Sequence, residues 1–166
     1  MNNNVWKKDF KKSNVKFPNE IAIEFCNQLY NITEKKVMAK VEKYKDSFYD
    51  MNRTAPIISL ASASNFLKSG KIDDYLGELS GSGSFTYELY LTGIKTTEYK
   101  YRFCFIENGV CPYPVEIAID SDIAKELNCE KIIECKNEEE YKGILILVLN
   151  SKKMEEVIEG LMAINS

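Results

Sequence analysis

Hydrophobic residues in the first half of the chain recur at intervals of three and four, a spacing typical of amphipathic helices. The first helix is predicted to begin at Pro18, because proline suits the first turn of a helix. Ile21, Phe25 and Leu29 then share one face, which can pack on a core. The chain before this helix is polar and lysine-rich, and we expect residues 1–17 to be a flexible basic terminus.

Three more helices are predicted next, over residues 33–51, 56–70 and 71–79. In the first of them, Thr33 is the expected N-cap. Its apolar stripe has alternating spacings of four and three and consists of Val37, Val41, Tyr44, Phe48 and Met51. Together with the preceding helix, these segments form a predicted helical part that spans residues 18–80.

The pattern changes after a serine- and glycine-rich run at residues 80–84, which is either a linker or a loop. Beyond it, hydrophobic positions alternate with polar ones, which predicts β-strands. Five strands are expected, at residues 84–92, 99–106, 115–119, 131–135 and 143–149. The last of these is apolar on both faces, so it is predicted to be a central strand.

A short helix capped by Ser121 and Asp122 is predicted between the third and fourth strands, and a final helix is predicted from Ser151. The resulting fold class is α+β, with a helical N-terminal half followed by a mostly antiparallel sheet in the order βββαββα. A chain of 166 residues has the size of one domain. This domain is predicted to span residues 18–166, with the sheet part at residues 84–166.

The chain contains no histidine, which removes the commonest metal ligand and the usual proton-transfer residue near neutral pH. Sites that depend on a Ser-His-Asp or Cys-His arrangement are therefore excluded.

The five cysteines are odd in number and form no C-x-x-C pair, so we expect reduced, mostly buried thiols in a cytoplasmic protein. No metal and no cofactor is expected. The longest strongly apolar run, residues 144–149, is too short to span a membrane, so no membrane partner is expected.

Charge is distributed unevenly along the chain. Residues 1–54 hold 11 Lys and Arg against 7 Asp and Glu, whereas residues 55–166 hold 11 against 18, so their net charges are +4 and −7. An acidic surface repels nucleic acid and attracts a basic protein. The alternative is that these acidic residues only keep the surface solvated.

Seven carboxylates predicted in loops or at helix ends are the candidate contacts to a basic partner: Glu138, Glu139, Glu140, Asp120, Asp122, Asp73 and Asp74. The three glutamates are expected in a loop or a bulged hairpin, where they face solvent or meet cations. Simpler explanations are a solubilising loop for the glutamates, helix capping at residues 120–122, and an exposed helix face at residues 73–74. Tyr90 and Tyr113 are the candidate aromatic anchors.

Two basic segments suggest nucleic-acid contacts, but each has a structural explanation. Residues 99–103 interleave lysine and arginine with aromatic residues, as RNA-binding strands do. On a strand, however, those aromatic residues share one face and fit a stripe that packs on the core. The lysines at residues 35–43 fit the solvent face of the second predicted helix. No nucleic-acid partner is therefore expected.

In overall character the chain resembles bacterial immunity proteins, in particular those that accompany contact-dependent growth-inhibition toxins. The shared features are small size, acidity, unpaired cysteines, tyrosine-rich antiparallel strands and the absence of an evident catalytic set. The resemblance implies a non-enzymatic protein that binds a cognate toxin domain, often a nuclease, in the cytoplasm of the producing cell. Nuclease domains tend to be basic because their substrate is anionic. Two alternatives stay open, a histidine-free hydrolase that uses carboxylates or cysteine and a small structural or adaptor protein. The sequence predicts no oligomeric state.

Overall fold

The computed structural model of the chain describes residues 5–6, 9–45 and 85–166. Within these ranges a helix precedes a five-stranded antiparallel sheet, and further helices follow, which confirms the predicted α+β class. The helices predicted over residues 56–70 and 71–79 lie outside the described residues.

The first helix, α1 (Pro18–Ile32), begins at the predicted proline. It ends at Thr33, whose hydroxyl donates a hydrogen bond to the Leu29 carbonyl oxygen at 2.9 Å. Glu34 and Lys35 then adopt left-handed backbone conformations, with φ of 52° and 65°, and lead the chain into the sheet. The predicted N-cap of a second helix therefore ends the first one.

The helix predicted over residues 33–51 is wrong, because strand β1 (Val37–Tyr44) occupies the middle of that segment. The apolar residues fit both periods, since Val37 and Val41 are four positions apart and Ala39 lies between them. Pairing with the next strand along the whole of β1 decides in favour of the strand, which β-branched valines also prefer. The last part of the predicted helix lies outside the described residues.

The sheet has the order β1-β2-β3-β4-β5, and every neighbouring pair is antiparallel. The strands after β1 are β2 (Phe85–Gly93), β3 (Tyr101–Asn108), β4 (Val115–Ile119) and β5 (Ile132–Cys135). All four lie where the alternating pattern predicted strands.

The pairing of β2 with β3 shifts register after Leu89, so Tyr101 and Phe103 pack on the core while Phe105 lies on the opposite face. The predicted aromatic stripe is therefore divided.

Three helices complete the described fold, namely α2 (Ser121–Glu126), α3 (Glu138–Leu149) and α4 (Lys152–Ile164). Helices α2 and α4 lie where helices are predicted, but α2 is capped by Asp120 and not by Ser121 and Asp122. Ser151 caps α4 as expected, because its hydroxyl oxygen accepts a hydrogen bond from the Met154 amide at 3.4 Å.

The central strand predicted over residues 143–149 is wrong, because these residues form the second half of α3. Asn137 starts that helix by accepting a hydrogen bond from the Glu140 amide at 2.9 Å. The buried face of α3 consists of Tyr141, Leu145 and Val148. A run that is apolar on all sides does not distinguish a buried strand from a helix with apolar residues on two faces.

The described elements therefore follow the order αββββαβαα, and the predicted order βββαββα after a helical half is wrong. The glutamates at residues 138–140 form the first turn of α3 and do not lie in a loop or bulged hairpin. A helix N-terminus favours negative charge, which explains why three adjacent carboxylates are tolerated there.

The hydrophobic core lies between one face of the sheet and the helices α1, α3 and α4. Its fully buried side chains include Ile21, Leu89, Leu91, Ile117 and Leu145. Among the residues described, no helix combines the length and the apolar character needed to cross a membrane.

Candidate functional site

An acidic stretch of the chain follows the edge of the sheet formed by β5, which among the described strands pairs with β4 alone. Residues 120–140 run from the end of β4 through α2 and β5 into the first turn of α3. They contain eight Asp and Glu against three Lys, a net charge of −5. We call residues 120–140 the acidic edge. Five of the seven predicted carboxylates belong to it.

Asp120 is the N-cap of α2. Its carboxylate accepts hydrogen bonds from the amides of Asp122 and Ile123 at 2.9 and 3.4 Å. Burial raises the pKa of the nearby Tyr101 hydroxyl, and the charge of Asp120 adds to that effect. Asp120 therefore stabilises the start of a helix, as the capping interpretation expects, and is partly withdrawn from solvent.

The other predicted aspartate of this group, Asp122, is exposed. Its carboxylate lies 4.0 Å from the Nζ atoms of both Lys125 and Lys153, which are loose contacts at the surface. Nearby, Glu126 accepts hydrogen bonds from the backbone amides at the start of α4, at 2.7 Å from Lys152 and 3.3 Å from Lys153. The sequence does not reveal this capping role, because the two partners are 26 and 27 positions away.

The glutamates of the first turn of α3 differ in their contacts. Glu138 forms an ion pair with Lys142, one turn further along the helix. Glu140 accepts a hydrogen bond from the Lys136 amide at 2.8 Å. Glu139 is exposed and has no hydrogen bond or ion pair within the described part of the chain. Glu139 is therefore the carboxylate of this group that is most available to a partner.

Two further glutamates of the acidic edge, Glu130 and Glu134, are exposed and likewise unpaired among the described residues. Glu134 projects from β5 directly opposite Glu116 of β4. Neither residue stood out in the sequence, because single glutamates carry no pattern. Their importance follows only from the position of β5 at the edge of the sheet.

The two ends of the acidic edge do not form one patch. Val115, at the start of β4, pairs with Cys135, next to the turn that leads to Glu138, whereas Asp120 follows the other end of β4. At about 3.4 Å per residue, the five residues of β4 separate the two ends by about 17 Å. The structure therefore places the predicted carboxylates along one edge in two groups, with Glu130 and Glu134 between them.

The two predicted aromatic anchors lie in different places. Tyr113 is half-buried near Glu138, and its ring centroid is 6.4 Å from that of Tyr141. Burial raises the pKa of Tyr113 to about 12, and the charge of Glu138 acts in the same direction. Tyr90 is only 6% exposed and lies under the Lys100 ammonium group, which is 3.9 Å from the ring centroid. Tyr113 therefore borders the acidic edge, and Tyr90 does not.

Asp73 and Asp74, the remaining predicted contacts, lie outside the described residues. The structure therefore gives no position for them relative to the acidic edge.

A second charged group lies on the sheet face opposite the core. The Glu88 carboxylate is 7% exposed and forms ion pairs with Lys100 and with Arg102, the latter at 2.7 Å. The Arg102 guanidinium also lies over the Phe105 ring, 5.0 Å from its centroid. Burial alone raises the pKa of Glu88, but the hydrogen bonds and charges of the two cations outweigh it and hold the pKa below its ordinary value. The cations of the segment that resembled an RNA-binding strand are thus engaged within the chain.

The cysteines are all unpaired, and Cys26, Cys104 and Cys135 are buried. Burial raises the pKa of Cys26 to about 12 and that of Cys135 to about 11, and it raises the pKa of Cys104 as well. Since the thiolate is the nucleophile, these three groups are poorly suited to covalent catalysis. Cys111 is exposed. Among the residues with described positions, no group of three or more Cys, Asp and Glu is arranged to hold a metal ion.

Comparison with known proteins does not identify a family. No protein-family model, no curated protein and no solved structure matches this chain.

Proposed function

We propose that this chain is a non-enzymatic, cytoplasmic immunity protein that binds and neutralises a cognate basic toxin domain, such as a nuclease, through the acidic edge. The observation that carries the proposal is three exposed carboxylates that have no partner among the described residues, Glu134 on the edge strand β5 and Glu130 and Glu139 on either side of it. Carboxylates of this kind add to the field outside the protein without a counterpart inside the described residues.

The electrostatic argument is one of complementarity. A net charge of −5 within 21 consecutive residues attracts a basic protein and speeds its encounter with this edge. Each exposed carboxylate that meets a cation contributes about 0.2–1 kcal/mol, so three contacts together change the dissociation constant by roughly threefold to more than a hundredfold. Charge therefore supplies rate and orientation, and the larger part of the affinity must come from buried apolar anchors.

Tyr113 is the anchor that the geometry favours. It borders the end of the acidic edge at Glu138, and its buried hydroxyl has no hydrogen-bond partner among the described residues. A buried hydroxyl without a partner is unfavourable by about 1–3 kcal/mol. A partner gains part of that free energy if the Tyr113 side chain turns out of its half-buried position and its hydroxyl then finds a donor or acceptor on the partner.

The contacts of the described reactive groups support a binding role over a hydrolase. The buried thiols are held in their neutral form, and the Glu88 carboxylate is held in its charged form by two cations. A general acid near neutral pH needs the opposite, a carboxyl group with a raised pKa.

The experiment tests the protein encoded by the gene next to this one as the toxin candidate. That protein is expressed alone and together with the chain, growth is recorded, and the dissociation constant of the purified pair is measured. We expect protection of growth and a one-to-one complex. The double variant Glu134→Lys/Glu139→Lys should bind at least tenfold more weakly, because it replaces two attractive contacts with repulsive ones.

The matched control is Glu98→Lys/Glu156→Lys, which changes the net charge equally at two exposed positions outside the acidic edge. Its dissociation constant should change less than threefold. Failure of the chain to bind or protect refutes the immunity function. Equal weakening by both double variants retains that function but refutes the acidic edge as its site.

A further inference from the structure

A groove of about 610 Å³ lies between α1 and α4 on the helical side of the molecule. Its walls are formed by the C-terminal half of α1, the end of α3 and one face of α4. Its large apolar lining residues include Phe25, Leu29, Ile32, Ile146, Ile158 and Met162. Ile32 is 74% exposed at the rim, so the groove opens to solvent along an apolar edge. Its volume lies within the range of about 300–1,000 Å³ that binding sites occupy.

The charged residues of this groove are both acidic. Glu155 and Glu159 lie one turn apart on α4 and are exposed. None of the described residues that line the groove is a lysine or an arginine. An apolar groove with this rim is complementary to a segment that carries large apolar side chains between positive charges.

The chain carries a segment of that chemistry in front of α1. Trp6 and Phe10 are 75% and 76% exposed, although aromatic side chains are among the residues that gain most from burial. Residues 5–16 contain five lysines and one aspartate, a net charge of +4. Trp6 and Phe10 are four positions apart, a spacing that would bring both rings to one side of the segment if it bound in an extended or a helical conformation.

We propose that the groove of one copy binds residues 5–16 of a second copy, with Trp6 and Phe10 against its apolar lining and the lysines beside Glu155 and Glu159. Within a single copy both aromatic rings face solvent and the groove is lined by other residues. Reciprocal exchange buries both rings of both copies and gives a closed dimer with two-fold symmetry. The proposal uses neither the acidic edge nor a foreign partner, so it does not depend on the proposed function.

The test relies on Trp6, the only tryptophan of the chain. Emission spectra and light scattering of the full chain are recorded over the same concentration series. We expect the mass to rise from monomer to dimer and the emission maximum to move to shorter wavelength over the same range, since the indole ring leaves water as the dimer forms.

Surface variants then test the groove itself. Ile32→Lys and the double variant Glu155→Lys/Glu159→Lys change exposed rim positions, and the circular dichroism spectrum of each variant checks that the fold is kept, since Glu155 lies in the first turn of α4. The double variant should weaken the dimer tenfold or more, because a two-fold dimer loses two exposed charge contacts in each of its two grooves. Glu156→Lys makes the same type of charge change on α4 but does not line the groove, and it should alter the dissociation constant less than twofold.

A charge exchange completes the design. Lys11→Glu/Lys12→Glu added to the double rim variant should restore part of the lost affinity, because it lowers the net charge of residues 5–16 from +4 to zero and brings two carboxylates to the two new lysines of the rim. A monomer with constant emission at every concentration overturns the proposal. A monomer whose emission stays at short wavelength shows that the segment binds within its own chain, which also overturns it. A dimer that the rim variants leave unchanged uses another surface and overturns it as well.

Discussion

The buried carboxylate of Glu88 gives a test of the forces that hold the sheet together. The perturbation is Glu88→Gln, which keeps the size of the side chain and removes its charge. In the native protein this carboxylate is 7% exposed and is bonded to Lys100 and Arg102, which are 36% and 38% exposed. Loss of one partner of a fully buried ion pair costs about 3–5 kcal/mol, and a hydrogen bond to a charged group contributes about 1.5–3 kcal/mol. Because both cations remain partly solvated after the change, we expect a loss of about 2 kcal/mol.

The assay is urea unfolding followed by circular dichroism at pH 7. A loss of about 2 kcal/mol lowers the midpoint by about 1 M for a typical dependence on urea. The matched control is Glu42→Gln, whose carboxylate lies 3.9 Å from the same Lys100 ammonium group but is 50% exposed. It should cost less than about 0.5 kcal/mol, as exposed ion pairs do.

The dependence on pH separates charge from packing. The two cations hold the pKa of folded Glu88 below its ordinary value, so the stabilisation is complete above the unfolded pKa of about 4.3. It is lost as the pH falls through the lower folded pKa. The difference between the native chain and Glu88→Gln should therefore be largest at pH 7 and shrink below about pH 4. Equal effects of Glu88→Gln and Glu42→Gln at pH 7, or a difference that grows on acidification, refutes the reasoning.

The remaining predictions concern glycines and thiols. Gly160→Ala should raise the free energy of unfolding by about 0.5–1 kcal/mol, because a Cβ there has no neighbour within 4 Å among the described residues and alanine favours a helix. An unchanged or lower urea midpoint contradicts this. Gly93→Ala should lower the free energy of unfolding by about 1–3 kcal/mol, because the new Cβ collides with the Asn165 side-chain amide. That amide makes three hydrogen bonds, which the collision disturbs. In a thiol titration of the native protein at pH 8, Cys111 should react first and the three buried cysteines only in urea. Equal rates for all thiols in the native state show that their burial does not protect them.

The strands after residue 84 could be predicted from the sequence because hydrophobic residues at every second position fit a β-strand and do not fit a helix. The two wrong elements share a physical cause. Val37, Ala39 and Val41 fit a strand as well as a helix, and pairing with β2, about fifty positions away, decides between them. The run at residues 143–149 fits a buried strand, but its Asn137 cap and acidic first turn start a helix before the run begins. The spacing of hydrophobic residues carries no information on which distant strand a segment pairs with or on where the segment begins and ends.

The residue types of the candidate site could be predicted from the sequence, but the positions and bonding partners of those residues could not. The sequence shows which residues are carboxylates, but it does not show which of them bond to backbone amides. Asp120 and Glu140 are partly committed to the fold in this way, and so is Glu126, whose partners lie on a helix distant in sequence. Glu134 gains its importance from the edge position of β5, which depends on the order of all five strands.

The division of the acidic edge into bonded and unbonded carboxylates limits what can bind there. Bonded carboxylates have their charge partly balanced by backbone dipoles, whereas Glu130, Glu134 and Glu139 keep theirs directed outward. Repulsion among outward charges is relieved when a cation approaches, so a basic partner gains both the direct attraction and that relief. At physiological ionic strength the screening length is about 8 Å, roughly half the distance of about 17 Å between the two ends of the edge. Each end therefore acts on its own surroundings, and we infer that the partner presents at least two cationic groups with a similar separation. A basic domain of several nanometres meets this condition, whereas a single small cation neutralises only one end.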